Sequence, residues 1–77
     1  MPTILKIKGY RFFFYSNEHI PIHIHIEKNE GTAKFTLTPV ELIKSKKVTA
    51  SEIHEMRKLV IKNVEFLKQK WNEYYNS

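Results

Sequence analysis

Residues 22–37 read IHIHIEKNEGTAKFTL, in which isoleucine and histidine alternate before a turn and a second alternating run. Successive side chains of a strand point to opposite faces of its sheet, so His23 and His25 share one face and the isoleucines share the other. The pattern predicts one strand over 22–27 and another over 32–38. A hairpin that buries its isoleucines presents the two imidazoles on its second face.

The turn between these two strands sets the pairing of their residues. We expect the turn to span residues 28–31, where Gly31 can adopt a positive φ. Every apolar residue then faces an apolar partner, which favours this register. The predicted pairs are Ile22 with Leu37, Ile24 with Phe35, Ile26 with Ala33, His23 with Thr36 and His25 with Lys34.

β-Branched and aromatic residues predict further strands on both sides of this hairpin. Strands are expected over 3–8 and 10–15, joined by a tight turn at Lys8-Gly9. In this hairpin Leu5 faces Phe12, Ile7 faces Tyr10, Lys6 faces Arg11 and Ile4 faces Phe13. The sequence allows a fifth strand over 40–44, followed by an exposed basic loop over 44–47.

The C-terminal part of the sequence has helical periodicity. Thr49 and Glu52 form a capping-box pattern, in which each side chain can bond to the other residue's backbone amide. Apolar residues then recur at steps of three and four without glycine or proline, which predicts one long helix over 50–75. The sequence therefore predicts a single α+β domain over 1–77, in which this helix packs on one face of an antiparallel meander of four to five strands.

Composition narrows the class of protein. Seventy-seven residues correspond to one small domain, and 42% hydrophobic residues are typical of a globular chain rather than a disordered one. The absence of cysteine excludes disulfides and thiolate metal sites and favours a cytoplasmic location. No apolar run reaches membrane-spanning length, and no signal peptide is recognised. The formal charge of +5, most of it within residues 1–49, favours an anionic partner.

One helix covers one face of such a sheet, and the other face is expected to carry a mixture of cations, aromatics and imidazoles. Nucleic acid is the first partner that this mixture suggests, because single strands bind sheets through aromatic stacking and basic side chains. If bound RNA is also cut, His23 and His25 are candidate general base and acid, since same-face neighbours on a strand lie about 7 Å apart. The candidate nucleic-acid-binding residues are Lys6, Arg11, Phe13, Tyr15 and Lys34.

A metal site is the second interpretation of the histidines. His23 and His25 can converge on one divalent transition metal such as zinc, and His19 can join them from the preceding loop. Glu27 or His54 is the candidate fourth ligand.

A protein partner is the third interpretation. Ile4, Phe13 and Tyr15 on the uncovered face predict an apolar patch that a second copy of the chain or a cognate protein can cover. On this interpretation the histidines are partly buried hydrogen-bonding residues of the contact, and the module is not an enzyme.

The sequence resembles a family of small bacterial proteins, the domain of unknown function 4160. The resemblance lies in an acidic residue followed by a histidine and then by proline and two alternating histidines: Glu18, His19, Pro21, His23 and His25. The family has a second proline where this chain has Ile22. The start Met1-Pro2-Thr3-Ile4, the segment Ala33-Lys34-Phe35 and the helix ending near Trp71 extend the resemblance over essentially the whole chain.

This resemblance implies a biological setting rather than a reaction. Members resemble components of toxin–antitoxin-like operons, often beside a domain of unknown function 2442, which implies a small cognate partner protein and an RNA target. We therefore expect a cytoplasmic, RNA-directed component of such a pair, with His23 and His25 as the candidate ribonuclease residues. A non-enzymatic interaction or oligomerisation module, with or without a histidine metal site, is the alternative.

Overall fold

A computed structural model describes residues 3–14 and 22–75. Within these residues it contains five strands and two helices, so the α+β class and the five-stranded version of the sheet are confirmed. The strands are β1 (Thr3–Ile7), β2 (Tyr10–Phe13), β3 (His23–Lys28), β4 (Gly31–Leu37) and β5 (Val40–Lys46), and the helices are α1 (Ala50–Lys62) and α2 (Val64–Tyr75). None of the helices described is long and apolar enough to cross a membrane.

The strands follow one another in the sheet in the order of the sequence, each antiparallel to the next. Lys8 and Gly9 both have positive φ, as a tight two-residue hairpin between β1 and β2 requires. The predicted register of β3 and β4 is confirmed over residues 23–26, including the pairing of His25 with Lys34. Ile22 precedes β3, and its carbonyl accepts a hydrogen bond from the Leu37 amide.

Two details of the strand predictions are wrong. A bulge between Thr3 and Leu5 pairs Thr3 with Phe13 and leaves Ile4 out of the register, so Ile4 packs against the core cluster. β2 ends at Phe13, and Tyr15, the predicted end of that strand, lies outside the described residues. An inserted residue locally breaks the alternation of strand faces, which the sequence pattern alone does not reveal.

The turn between β3 and β4 is shorter than predicted. Lys28 and Gly31 already pair as strand residues, and the positive φ belongs to Asn29 rather than to Gly31. Asparagine tolerates the left-handed region better than most residues. Gly31 is required for another reason: a Cβ at this position would clash with the Lys47 carbonyl oxygen and with the Val48 side chain.

Gly31→Ala is therefore expected to destabilise the fold. The backbone around Lys47 has to move to admit the methyl group, and we expect the free energy of unfolding to fall by about 1–3 kcal/mol. Chemical denaturation followed by circular dichroism measures the loss. Glu30→Ala, at an exposed neighbouring position, is the control and is expected to stay within about 0.5 kcal/mol of the wild type. Equal denaturation midpoints for the two variants would contradict this account of Gly31.

The prediction of one long helix is wrong, because α1 and α2 are separated at Asn63. The capping box at Thr49 and Glu52 is confirmed. At the other end of α1 the Asn63 side-chain amide donates to the Leu59 carbonyl over 2.8 Å, and its backbone N–H is shared between Leu59 and Val60. A side chain that competes for the backbone carbonyls interrupts a helix without glycine or proline.

Both helices pack on the same face of the sheet and form one core with it. The side chains of β2, β3 and β4 that point to this face alternate along each strand, as the sequence predicts. The largest fully buried side chains are Phe12, Phe14, Ile24, Ile26, Phe35, Met56, Val60 and Leu67.

Candidate functional site

The face of the sheet opposite the helices carries the polar and charged side chains of the alternation. We call this the basic face, and its residues are Lys6, Arg11, Phe13, His23, His25, Glu27, Thr32, Lys34, Thr36, Glu41, Lys44 and Lys46. The partners across each strand pair keep the members on one side of the sheet. The basic face therefore brings most of the predicted candidate residues together on four neighbouring strands, β1 to β4.

A bulge in β5 adds two lysines to this face. Phe35 pairs with Leu42 while Lys34 pairs with Lys44, so Ile43 is an extra residue on β5. Without this bulge, strict alternation from Leu42 would direct Lys44 to the core side of the sheet. With it, Lys44 faces Lys34 and Lys46 faces Thr32. Ile43 itself is 52% exposed, as expected of an inserted residue at a sheet edge.

Arg11 is the best-compensated cation of the basic face. Its Nε donates to Oε1 of Glu27 over 3.1 Å, and its Nη1 donates to the hydroxyl of Thr3 over 3.2 Å. The guanidinium also lies 4.2 Å from the centroid of the Phe13 ring, within cation–π range. Arg11 thus already has an anionic partner, and an incoming phosphate would have to compete with Glu27 for it.

The lysines of β4 and β5 are not compensated in this way. Within residues 3–14 and 22–75, no aspartate or glutamate forms an ion pair with Lys34, Lys44 or Lys46. Lys34 and Lys44 are also direct cross-strand neighbours, an arrangement of like charges that is unfavourable on its own. We call these three residues the lysine strip. A strip of uncompensated ammonium groups creates a positive potential that attracts anions.

The lysine strip borders a shallow recess on the basic face. The recess is lined by Phe13, His25, Thr32, Ala33, Lys34, Lys44 and Lys46. The polar side chains of its lining belong to three lysines, one histidine and one threonine, and no aspartate or glutamate is among the lining residues. The recess therefore combines hydrogen-bond donors with positive charge, which is the chemistry that recognises phosphate oxygens.

The two histidines belong to a row of rings. The ring centroids of His23 and His25 are 5.4 Å apart, with the planes nearly perpendicular. His25 stacks on Phe13 at 5.5 Å. His23 is the first residue of β3 and lies 5.8 Å from the ring of Trp71, so α2 reaches the histidines at this end of the strand although it packs on the other face of the sheet. Phe13 is only 4% exposed, so its ring supports His25 and is not displayed as a stacking platform for a base.

The other predicted candidates are distributed as follows. Lys6 is exposed on β1 and faces Arg11, at the side of the sheet away from the lysine strip. Tyr15, proposed to bind nucleic acid, and His19, proposed to bind metal, lie outside the described residues.

The described residues offer little to a metal ion. Among residues 3–14 and 22–75 no group of three or more histidine, aspartate or glutamate side chains is placed to hold one. Glu27, a proposed fourth ligand, is engaged by Arg11, and His54, the other one, is an exposed residue of α1. His23 and His25 form the pair that the sequence predicts, with His19 as the remaining proposed ligand.

The sequence analysis does not identify Lys44 and Lys46 as site residues, because it predicts an exposed loop over residues 44–47. The structure extends β5 to Lys46 instead. The length of β4 was a signal. A strand of seven residues that is followed by a short turn can pair along its whole length with the next strand, and β5 also has seven residues. The bulge at Ile43, which decides the face on which the lysines lie, has no comparable signal in one sequence.

Comparison with known proteins places the chain in a family. No curated protein and no solved structure was found to match this chain. The model of one family, described as Domain of unknown function (DUF4160), matches residues 9–72. The match includes β2 to β5, the histidine pair, the lysine strip and the Trp71 region, which is most of the chain. This chain therefore belongs to the domain of unknown function 4160 family.

Proposed function

We propose that this protein is an RNA-directed module that binds a single strand on the basic face of its sheet. The observation that carries the proposal is the lysine strip: Lys34, Lys44 and Lys46 lie together without an anionic partner among the described residues. Phosphates are the natural counter-charges for such a strip, and a sheet face is a surface on which single strands bind in other folds.

The arrangement supports a particular mode of binding. Because Phe13 is buried beneath Arg11 and beside His25, it does not offer its ring to a base. Binding on this face therefore relies on phosphate contacts more than on stacking, and it is expected to discriminate weakly between base sequences.

The salt dependence of RNA binding tests the proposal directly. If each residue of the lysine strip neutralises one phosphate, the affinity for a single strand falls with a log–log slope of about −2, since each contact contributes about −0.7. Fluorescence anisotropy with a labelled oligouridylate measures this slope. Absence of binding at low salt, where electrostatic attraction is strongest, would refute the proposal.

Cleavage of the bound strand is a second hypothesis, supported by the 5.4 Å separation of the His23 and His25 rings. Two imidazoles this close can take a proton from the 2′-hydroxyl and give one to the leaving oxygen of a single phosphodiester. We expect His23→Gln and His25→Gln each to slow single-turnover cleavage by about 10²–10⁴-fold while the RNA affinity changes little. Wild-type protein that leaves RNA intact, or a double variant that cuts at the wild-type rate, would refute this hypothesis.

The proposed pairing with a small cognate protein in a toxin–antitoxin-like system rests on the family resemblance alone. The alternative, a non-enzymatic interaction module, rests on the expectation that Ile4, Phe13 and Tyr15 form an exposed apolar patch. Of these, Ile4 packs against the core cluster and Phe13 is buried, while Tyr15 lies outside the described residues. The two described members therefore give that patch little exposed apolar surface, and the RNA proposal has the stronger support.

A further inference from the structure

The recess beside the lysine strip is compact. Lys34 has His25 as its cross-strand neighbour on one side and Lys44 on the other. Directly opposed residues lie about 5 Å apart, and same-face neighbours such as Lys44 and Lys46 lie about 7 Å apart. A lysine side chain is long enough to reach across such distances, so the three ammonium groups can contact successive phosphates of a strand and can also converge on one terminal phosphate.

The charge of the recess favours a dianion over a monoanion. Three ammonium groups line it together with the imidazole of His25 and the hydroxyl of Thr32, and no carboxylate offsets them within the lining. A phosphodiester inside a strand carries one negative charge and offers two unesterified oxygens. A phosphomonoester carries a charge of about −1.5 to −2 at neutral pH and offers three strong acceptor oxygens.

We infer that the recess binds the phosphomonoester end of an RNA strand. This inference rests on the proposed function and narrows it, because it names the part of the strand that the lysine strip recognises. Lys34, Lys44 and Lys46 contact the terminal phosphate, while the hydroxyl of Thr32 and the imidazole of His25 border it. Phe13 is the aromatic residue of the lining.

A competition experiment tests the inference. Unlabelled oligouridylates of about ten nucleotides displace one labelled strand from the 77-residue chain, and they differ only in their ends: 5′-phosphate, 3′-phosphate, or hydroxyl at both. An oligonucleotide with hydroxyl ends and two additional nucleotides carries at least the added charge of the phosphorylated strands, since a terminal phosphate adds about −1.5 to −2 and each nucleotide adds one charge. We expect one of the two phosphorylated strands to compete about tenfold better than this charge-matched strand, and the arm that does so identifies the end.

The same comparison in variants locates the preference. Lys34→Gln and the double variant Lys44→Gln/Lys46→Gln are expected to lose it, whereas Lys58→Gln/Lys62→Gln, on exposed positions of α1, is expected to keep it. Equal competition by all strands of equal charge would overturn the inference and leave the proposed function intact. Failure of every strand to bind would overturn both. A preference that survives in the Lys44→Gln/Lys46→Gln variant would place the phosphate elsewhere and likewise overturn the inference.

Discussion

Replacing Lys44 and Lys46 with glutamine is expected to weaken the binding of single-stranded RNA about 25-fold at about 0.1 M salt. Two phosphate contacts are lost, each contributing about 0.7 to the slope of log affinity against log salt, and this electrostatic contribution is counted relative to about 1 M salt. The log–log slope of the variant is accordingly less steep than that of the wild type by about 1.4. Both side chains are exposed and outside the core cluster, so the fold is expected to be unaffected. Anisotropy titrations at several salt concentrations measure both quantities.

The double variant Lys58→Gln/Lys62→Gln is the matched control. It removes the same two charges from exposed positions of α1, which packs on the other face of the sheet. We expect its affinity to fall no more than about threefold and its salt slope to stay within error of the wild-type value, because only the general field of the protein changes. Equal losses in the two double variants would show that net charge, rather than the lysine strip, drives binding.

Trp71→Ala is expected to cause the largest loss of stability. Trp71 is 5% exposed, and its ring lies 5.2 Å from Phe14 and 4.3 Å from Tyr75. Truncating a buried tryptophan typically lowers the free energy of unfolding by about 3–5 kcal/mol. A chain of this length is expected to have only about 4–12 kcal/mol in total, so a large part of the margin disappears. Denaturation followed by circular dichroism, which does not need the tryptophan signal, measures the change.

Phe66→Ala provides the comparison on the same helix. Phe66 is 39% exposed and outside the core cluster, so its truncation is expected to cost less than about 1 kcal/mol. Trp71→Phe keeps a ring against Phe14 and is expected to lie between these two variants. If Trp71→Ala and Phe66→Ala had similar effects, the packing described for α2 against the sheet would be wrong.

The strands could be predicted because their alternation is strict. The isoleucines at 22, 24 and 26 can all be buried in only one register, and the paired residues of β4 are apolar at the matching positions. A one-residue slip would direct every one of them to the wrong face. Thr49 and Glu52 similarly mark the start of α1, because each satisfies a backbone amide of the other.

The features that sequence analysis missed are insertions and local competition for hydrogen bonds. Ile43 and the Thr3–Leu5 bulge add a residue to one strand of a pair, and neither carries glycine or proline to mark it. Asn63 ends α1 through its own amide, an effect that depends on which carbonyl the side chain reaches. Gly31 is needed because the backbone of Lys47, which is distant from it in the sequence, leaves no room for a side chain.

In the candidate site, too, some contacts could be predicted from strand alternation and others could not. The pairing of His25 with Lys34 follows from strand alternation and could be predicted. The neutralisation of Arg11 by Glu27 could not, because it depends on the register of β2 against β3 across residues 15–21. The lysine strip depends on the bulge at Ile43, and the burial of Phe13 depends on the groups packed over it. Of the residues that the sequence predicts to bind nucleic acid, Lys34 belongs to the lysine strip, whereas Lys6, Arg11 and Phe13 lie on β1 and β2.

Chemical-shift mapping of the backbone amides during titration with single-stranded RNA tests most directly whether the basic face is the RNA-binding surface. We expect the perturbations to concentrate on β3, β4 and β5, with the largest near His25, Lys34, Lys44 and Lys46, and to leave the exposed positions of α1 and α2 unchanged. Perturbations confined to the helices, or a spectrum unchanged by RNA at low salt, would contradict the account.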